Sequence, residues 1–434
     1  MPPQAPVPAI DAGSLLVFLL QIGVLLLLAL LLGRLAVRLK MPAIVGELCA
    51  GVILGPSLLQ QVAPALSGWL FPHEAAQFHM LDAIGQIGVL LLVGITGAHL
   101  DLTLVRKRGA AAAKISAFGL VIPLGLGVAT GLLLPRAMVG DGTDPVVFAL
   151  FLGVAMCVSA IPVIAKTLLD MNLLHRNIGQ LTLTAGMVDD AFGWFMLSVV
   201  SAMATSGVRA GNVLLSLGSL LGIVGFAALV GRPLVATTFR FVNRSADAAP
   251  TIMTVTTLIM LAAAATHALG LEAILGAFVC GVLISEYGKP DPARLAPLRT
   301  VVVAVFAPLF FASAGLRMDL TALASVEVLG AALLILAIAI IGKFLGAYLG
   351  ARTSRLNRWE GLALGAGMNA RGVIQVFVAM IGLRLGVLNT ATYTIIILIA
   401  VVTSLMAAPI LRVAMARVEQ TSEEELRLRA QSPA

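Results

Sequence analysis

The chain has 434 residues, of which 60% are hydrophobic and only 11% charged, with a formal net charge of +7. A soluble domain carries roughly 45–50% apolar and about 25% charged residues, so the composition excludes the soluble and disordered classes. Three cysteines exclude a disulfide scaffold, and the expected class is an all-α polytopic membrane protein.

A helix that crosses a bilayer needs about 20 mostly apolar residues, and about thirteen such segments fit the chain. The first, 15–33, follows a stretch without Lys or Arg, so it does not read as a cleaved signal peptide. The second, 43–60, carries Glu47 early and Gly46, Gly51 and Gly55, which suit close helix contact. Segments at 81–98 and 110–134 follow. The fifth, 146–168, is interrupted by Val158-Ser159-Ala160-Ile161-Pro162, where proline removes a backbone donor. The sixth, 178–202, holds the adjacent acids Asp189 and Asp190. Then come 213–235, 251–268, 271–287 and 300–316. The eleventh, 324–350, contains Lys343. The twelfth, 359–383, is broken by the Gly-rich run from Gly365 through Asn369 and Arg371 to Gly372. The last is 391–415, and residues 418–434 read as a short polar tail, too short for a regulatory nucleotide-binding module. Cys49, Cys157 and Cys280 lie inside apolar runs and read as buried free thiols.

Charge orients this arrangement. With the N-terminus outside, the outer loops hold Arg136, Arg209, Arg317 and Arg384, and the spans hold Lys114, Lys343 and Arg371. Every other Lys and Arg falls on the inner side, the bias of cytoplasmic loops. The net positive charge therefore marks a membrane face and not a nucleic-acid partner.

A charge at the bilayer centre costs about 2.5–3.5 kcal/mol on insertion scales, so each one marks a candidate functional site. Asp189, Asp190, Lys343 and Arg371 lie near mid-span, and Glu47 lies early in its own. Neighbouring helical residues point about 100° apart, so one aspartate can take a basic partner while the other faces a cavity. Interrupted helices in corresponding places of two halves point to a transporter's binding site. The two broken segments are seven apart, which makes 15–202 and 251–415 inverted repeats joined by 213–235, within one transmembrane domain spanning 1–417.

The strings Pro42–Leu48, Leu54-Gly55-Pro56, Gly88–Leu92, Leu275–Phe278, Pro308–Leu316, Gly342–Gly346 and Gly367–Gly372 occur in an order that resembles the monovalent cation:proton antiporter superfamily, in its second branch of bacterial Na⁺/H⁺ and K⁺/H⁺ exchangers. The resemblance covers nearly the whole membrane region. It implies two crossed broken helices, a separate dimerisation domain and elevator-like alternating access in a homodimer of the bacterial inner membrane. It implies no cofactor, only transported Na⁺ or K⁺ and H⁺. By position, Asp190 resembles the ion- and proton-binding carboxylate, and Asp189 the neighbour whose salt-bridge partner is Lys343. Ser159 and the open backbone around Ile161 would add oxygen ligands, with Pro162, Asn369 and Gly372 as further broken-helix backbone. Several relatives carry Glu where Val373 stands, which leaves Arg371 without its usual partner and makes Glu47 a candidate replacement.

The five histidines lack metal-ligand spacing and read as surface or interfacial residues. Paired aspartates also raise the alternative of an intramembrane aspartyl protease, but that chemistry needs two carboxylates facing one water, and adjacent residues of one helix diverge. A channel or sensor on the same fold is the remaining alternative.

Overall fold

The computed structural model describes residues 10–39, 41–72, 75–98, 102–206, 218–219, 221–245 and 247–425. His73, His99, Arg209, the start of the expected 213–235 segment and the end of the tail lie outside them.

The described residues form helices joined by short turns: α1 (Ala12–Arg38), α2 (Ala43–Leu54), α3 (Leu59–Val62), α4 (Pro64–Leu70), α5 (Ala75–Ala98), α6 (Leu102–Leu133), α7 (Pro145–Cys157), α8 (Ile161–Asp170) and α9 (Asn177–Ser206). They continue as α10 (Arg232–Val242), α11 (Ala248–Ala268), α12 (Ala273–Leu283), α13 (Pro292–Val301), α14 (Ala307–Gly315), α15 (Val326–Thr353), α16 (Arg358–Met368), α17 (Val373–Arg384) and α18 (Thr390–Met415). Among the described residues ten helical segments are long and apolar enough to cross a membrane, with Ala43–Val62, Leu221–Val242 and Pro292–Gly315 each counted as one, or eleven when the bent pair α16–α17 counts as one. The segments expected at 146–168 and 271–287 fall on shorter apolar helices. The fifth segment is two helices, α7 and α8, separated by non-helical residues.

Two compact units divide the chain. One comprises 1–89 and 301–318, the other 90–300 and 319–434. In the first, Leu25, Ala29, Ala50, Leu54, Leu309 and Ala312 form a buried core among α1, α2 and α14. Arg317 pairs with Asp82 in the same unit. In the second, α6 and α15 pack along their length because glycines open one face of α15. A Cβ on Gly346 would come within 2.5 Å of the Phe118 carbonyl, and one on Gly350 within 2.5 Å of the Ile115 Cα. Only hydrogen at those positions allows the close approach, and it sets Lys343 of α15 beside α6.

Two sequence expectations fail here. Cys49 is exposed, whereas Cys157 and Cys280 are buried. An apolar flank does not imply burial in protein when lipid is equally apolar. His175 is buried at 5% exposure, because the residues after α18 fold back over it, with Gln420 Nε2 3.4 Å from His175 Nε2. In the same contact, Glu424 accepts from the Asn177 N–H at 2.6 Å, and Arg176 donates to the Val418 carbonyl at 2.8 Å. The Glu424 carboxylate thereby caps the start of α9 from a distant segment. Burial would raise its pKa, but bonds from the Asn177 and Thr421 N–H groups and the Arg176 charge outweigh that and hold it below the usual value.

Candidate functional site

The site is built where two helices stop. α7 starts firmly, with Pro145 in its first turn and the Asp144 side chain accepting from the Val146 N–H. It ends at Cys157 because Val158 turns to φ −72° and ψ 145°. The chain restarts as α8 at Ile161, so Pro162 falls in the first helical turn, where its missing N–H is tolerated. On the other side α16 stops at Met368, and α17 resumes at Val373 with a 46° bend. The two breaks are hydrogen-bonded to each other. The Ala160 N–H donates to the Ala370 carbonyl at 3.1 Å, and Ser159 Oγ lies 2.8 Å from the Met368 carbonyl.

Ending α7 in the interior strands its last carbonyls, at the negative end of the helix dipole. Two buried cations take them up. Arg371 donates to Ala155 O at 3.2 Å and Met156 O at 2.8 Å, and also to Ala339 O of α15 at 3.1 Å. Lys343 Nζ donates to Cys157 O at 2.6 Å and to Gly119 O of α6 at 3.0 Å. The charge of Arg371 thus meets carbonyl dipoles, where the sequence reading offered Glu47. Glu47 lies half-buried on α2 beside Gly33 of α1.

The third Lys343 proton goes to Asp189 Oδ2 at 2.6 Å, with both side chains fully buried. Asp189 also has Ser159 Oγ 2.9 Å from Oδ2 and accepts from Ser116 Oγ at 2.5 Å on Oδ1. The single Ser159 hydroxyl proton therefore serves either Asp189 or Met368 O. Asp189 and Lys343 are a closed pair, each with its hydrogen-bonding capacity largely used.

Asp190 is the contrast. It is 2% exposed, with the Ile161 N–H near its carboxylate. Among the described residues nothing pairs with its Oδ1. The carboxylate borders a narrow cleft with about 10 Å³ of room, enough for about one water, lined by Trp194, Phe278, Val373, Ile374 and Leu92. Trp194 stands one turn beyond Asp190 and packs edge-on against Phe377, with ring centroids 5.7 Å apart. A carboxylate oxygen without a partner inside an apolar cleft is costly unless a proton, cation or water meets it. Asn369, at the end of α16, is fully buried, and neither polar atom of its side chain has a partner among the described residues.

The structure thus brings Asp189, Asp190, Ser159, Lys343, Ile161 and the second break together. Ser116 and Trp194 escaped the sequence reading. Ser116 is a lone hydroxyl in the Ala-rich run of α6, and nothing local separates it from an ordinary small packing residue.

A family model described as "Sodium/hydrogen exchanger, transmembrane" matches residues 23–416. The chain belongs to the sodium/hydrogen exchanger family. Among curated relatives, this exchanger is 30% identical over 405 residues to the "Na(+)/H(+) antiporter NhaS4" of Synechocystis sp., covering 92% of the chain and 97% of that protein. It is also 30% identical to "Cation/H(+) antiporter 17" of Arabidopsis thaliana, covering 92% of the chain and 48% of the plant protein, which is about twice as long. Its fold is shared with the sodium proton antiporter NhaP1 of Methanocaldococcus jannaschii, with a TM-score of 0.69, 17% identity and 96% of the exchanger covered, against 99% of NhaP1.

Proposed function

We propose that the exchanger is a secondary antiporter that moves a monovalent cation, Na⁺ in the first place, against protons, and that Asp190 is the group for which the two compete. The observation that carries this reading is the contrast between neighbours: Asp189 is closed onto Lys343, Ser116 and Ser159, while Asp190 Oδ1 is unpartnered in a cleft. The names of the relatives support the same substrate class.

The physics of exchange follows from the charges. Asp189⁻ and Lys343⁺ cancel as a closed pair and Arg371⁺ is held by the carbonyls of Ala155, Met156 and Ala339, which leaves the charge on Asp190 hydrogen-bonded to no cationic side chain. Carrying that charge across the low-dielectric barrier costs several kcal/mol on insertion scales, and a bound proton or cation removes the cost. The core then crosses readily only when Asp190 is neutralised, and one carboxylate cannot hold both ligands. Alternating occupancy is obligatory exchange. The crossed breaks supply the alternating-access element in this reading, moving as an elevator in a homodimer of a bacterial inner membrane.

The carboxylates argue against an aspartyl protease, since one of the two is sequestered by a lysine. Purified protein in proteoliposomes, with a pH dye inside and Na⁺, Li⁺ or K⁺ gradients imposed, tests the reading. Cation-driven proton flux is expected, the ranking of the three ions separates Na⁺/H⁺ from K⁺/H⁺ exchange, and no flux with any of them would refute antiport.

A further inference from the structure

A second polar cluster lies further along the helices that line the Asp190 cleft. Ser201 follows Asp190 by eleven residues, three turns and about 16 Å along the same stripe of α9. It is 5% exposed, and its hydroxyl makes no hydrogen bond of ordinary geometry although the Glu272 carboxylate stands beside it. Glu272 precedes α12, the helix that brings Phe278 to the cleft, and is 9% exposed. Arg384, at the far end of the helix that brings Val373 and Ile374, reaches Glu272 Oε2 at 3.5 Å while its own side chain is 45% exposed. His267, at the end of α11, adds a titratable group nearby.

A structural arginine–carboxylate bridge closes to about 2.7–2.9 Å. Here the guanidinium is long-range and half in solvent, the carboxylate is buried, and the buried Ser201 hydroxyl stands beside it without a bond of ordinary geometry. Carboxylate and hydroxyl oxygens are the ligands a hard cation takes. We propose that Glu272 and Ser201 form a second, transient monovalent-cation site that feeds the Asp190 cleft from this end of α9, with Arg384 as the competing counter-charge that the ion displaces. The proposal rests on the antiport reading.

Transport by the reconstituted protein, with Na⁺ varied separately on each side of the bilayer, decides it. Glu272→Gln is expected to raise the KM for Na⁺ at least fivefold on one side only, with the maximal rate retained. Arg384→Ala is expected to lower the KM on that same side, and Ser201→Ala to raise it less than Glu272→Gln. Opposite movement in the first two variants is the signature, because a mere helix staple would shift both the same way through stability. Unchanged KM values in both, or changes of the same sign, overturn the site while leaving antiport intact. A wild type that exchanges no cation for protons overturns the antiport reading and the site with it. Should Glu272→Gln fail to insert, Arg384→Ala decides alone: a lowered one-sided KM supports the site, and an unchanged or raised one overturns it.

Discussion

Lys343 offers the most exacting perturbation. Its ammonium fills three acceptors, Asp189 Oδ2 at 2.6 Å, Cys157 O at 2.6 Å and Gly119 O at 3.0 Å, in a fully buried position. Replacing it with alanine removes all three donors at once. Asp189 is left charged with only the Ser116 and Ser159 hydroxyls, and stranding one partner of a buried pair costs about 3–5 kcal/mol. Each carbonyl left without a donor adds to the loss, within about 1–3 kcal/mol for a buried acceptor, so the upper part of the first range is expected. The double change Asp189→Asn with Lys343→Gln removes both charges together. The introduced glutamine amide can still serve a carbonyl, and the introduced asparagine can still accept from the two serines, so most of the stability should return. Thermal unfolding in detergent measures the first effect. Solid-supported-membrane currents measure a further effect: a pair that opens as the ion binds is expected to give up a proton and so add charge to each cycle, which the double variant cannot do. A Lys343→Ala protein as stable as wild type, or equal charge moved per cation in wild type and double variant, would refute the reasoning.

Other perturbations follow from the same contacts. Ser159→Ala removes the hydroxyl shared by Asp189 and the Met368 carbonyl at the crossing of the breaks, and should raise the KM for cation more than it lowers the maximal rate; steady-state exchange against cation concentration reads the split. Gly346→Leu drives a side chain into the Phe118 carbonyl of α6 and should cost at least the 1–3 kcal/mol typical of overpacking, seen as a lower melting temperature and loss of exchange. Glu424→Gln should destabilise the protein by about 1 kcal/mol, the usual worth of a helix cap. Because the folded carboxyl titrates below its ordinary value, near 4.3, its contribution is present above that pH and lost as pH falls through the folded pKa. Melting curves of wild type and variant should therefore differ at pH 7 and draw together as the pH falls through the folded pKa, below the ordinary carboxylate value.

Most of the helical layout is legible in the chain because lipid-crossing helices announce themselves by length and hydropathy. Each of the thirteen expected segments falls at least partly on described helix, although two of those helices are short and one segment starts outside the described residues. Charged residues inside apolar runs were equally conspicuous, and Asp189, Asp190, Lys343 and Arg371 all reappear at the crossing of the breaks or hydrogen-bonded to it. What hydropathy cannot carry is the identity of neutral partners. The carbonyls of Ala155, Met156 and Cys157 that hold Arg371 and Lys343 become available only because α7 stops where it does, and every residue has a carbonyl. Reading Arg371 as a residue in need of an acid missed that alternative. Ser116 and the buried state of His175 depend on contacts with α9 and with the segment after α18, more than 70 and more than 240 residues away. Local pattern has no access to such distances.

The central claim is that Asp190 is the group exchanged between cation and proton. Asp190→Asn keeps nearly the same shape and leaves the Asp189–Lys343 pair untouched, so folding and insertion should be retained. Cation-driven proton flux in proteoliposomes, at matched protein content and with the variant's melting curve shown to be intact, measures the claim directly. The account predicts no exchange above that of empty liposomes. Near wild-type exchange by Asp190→Asn would contradict it.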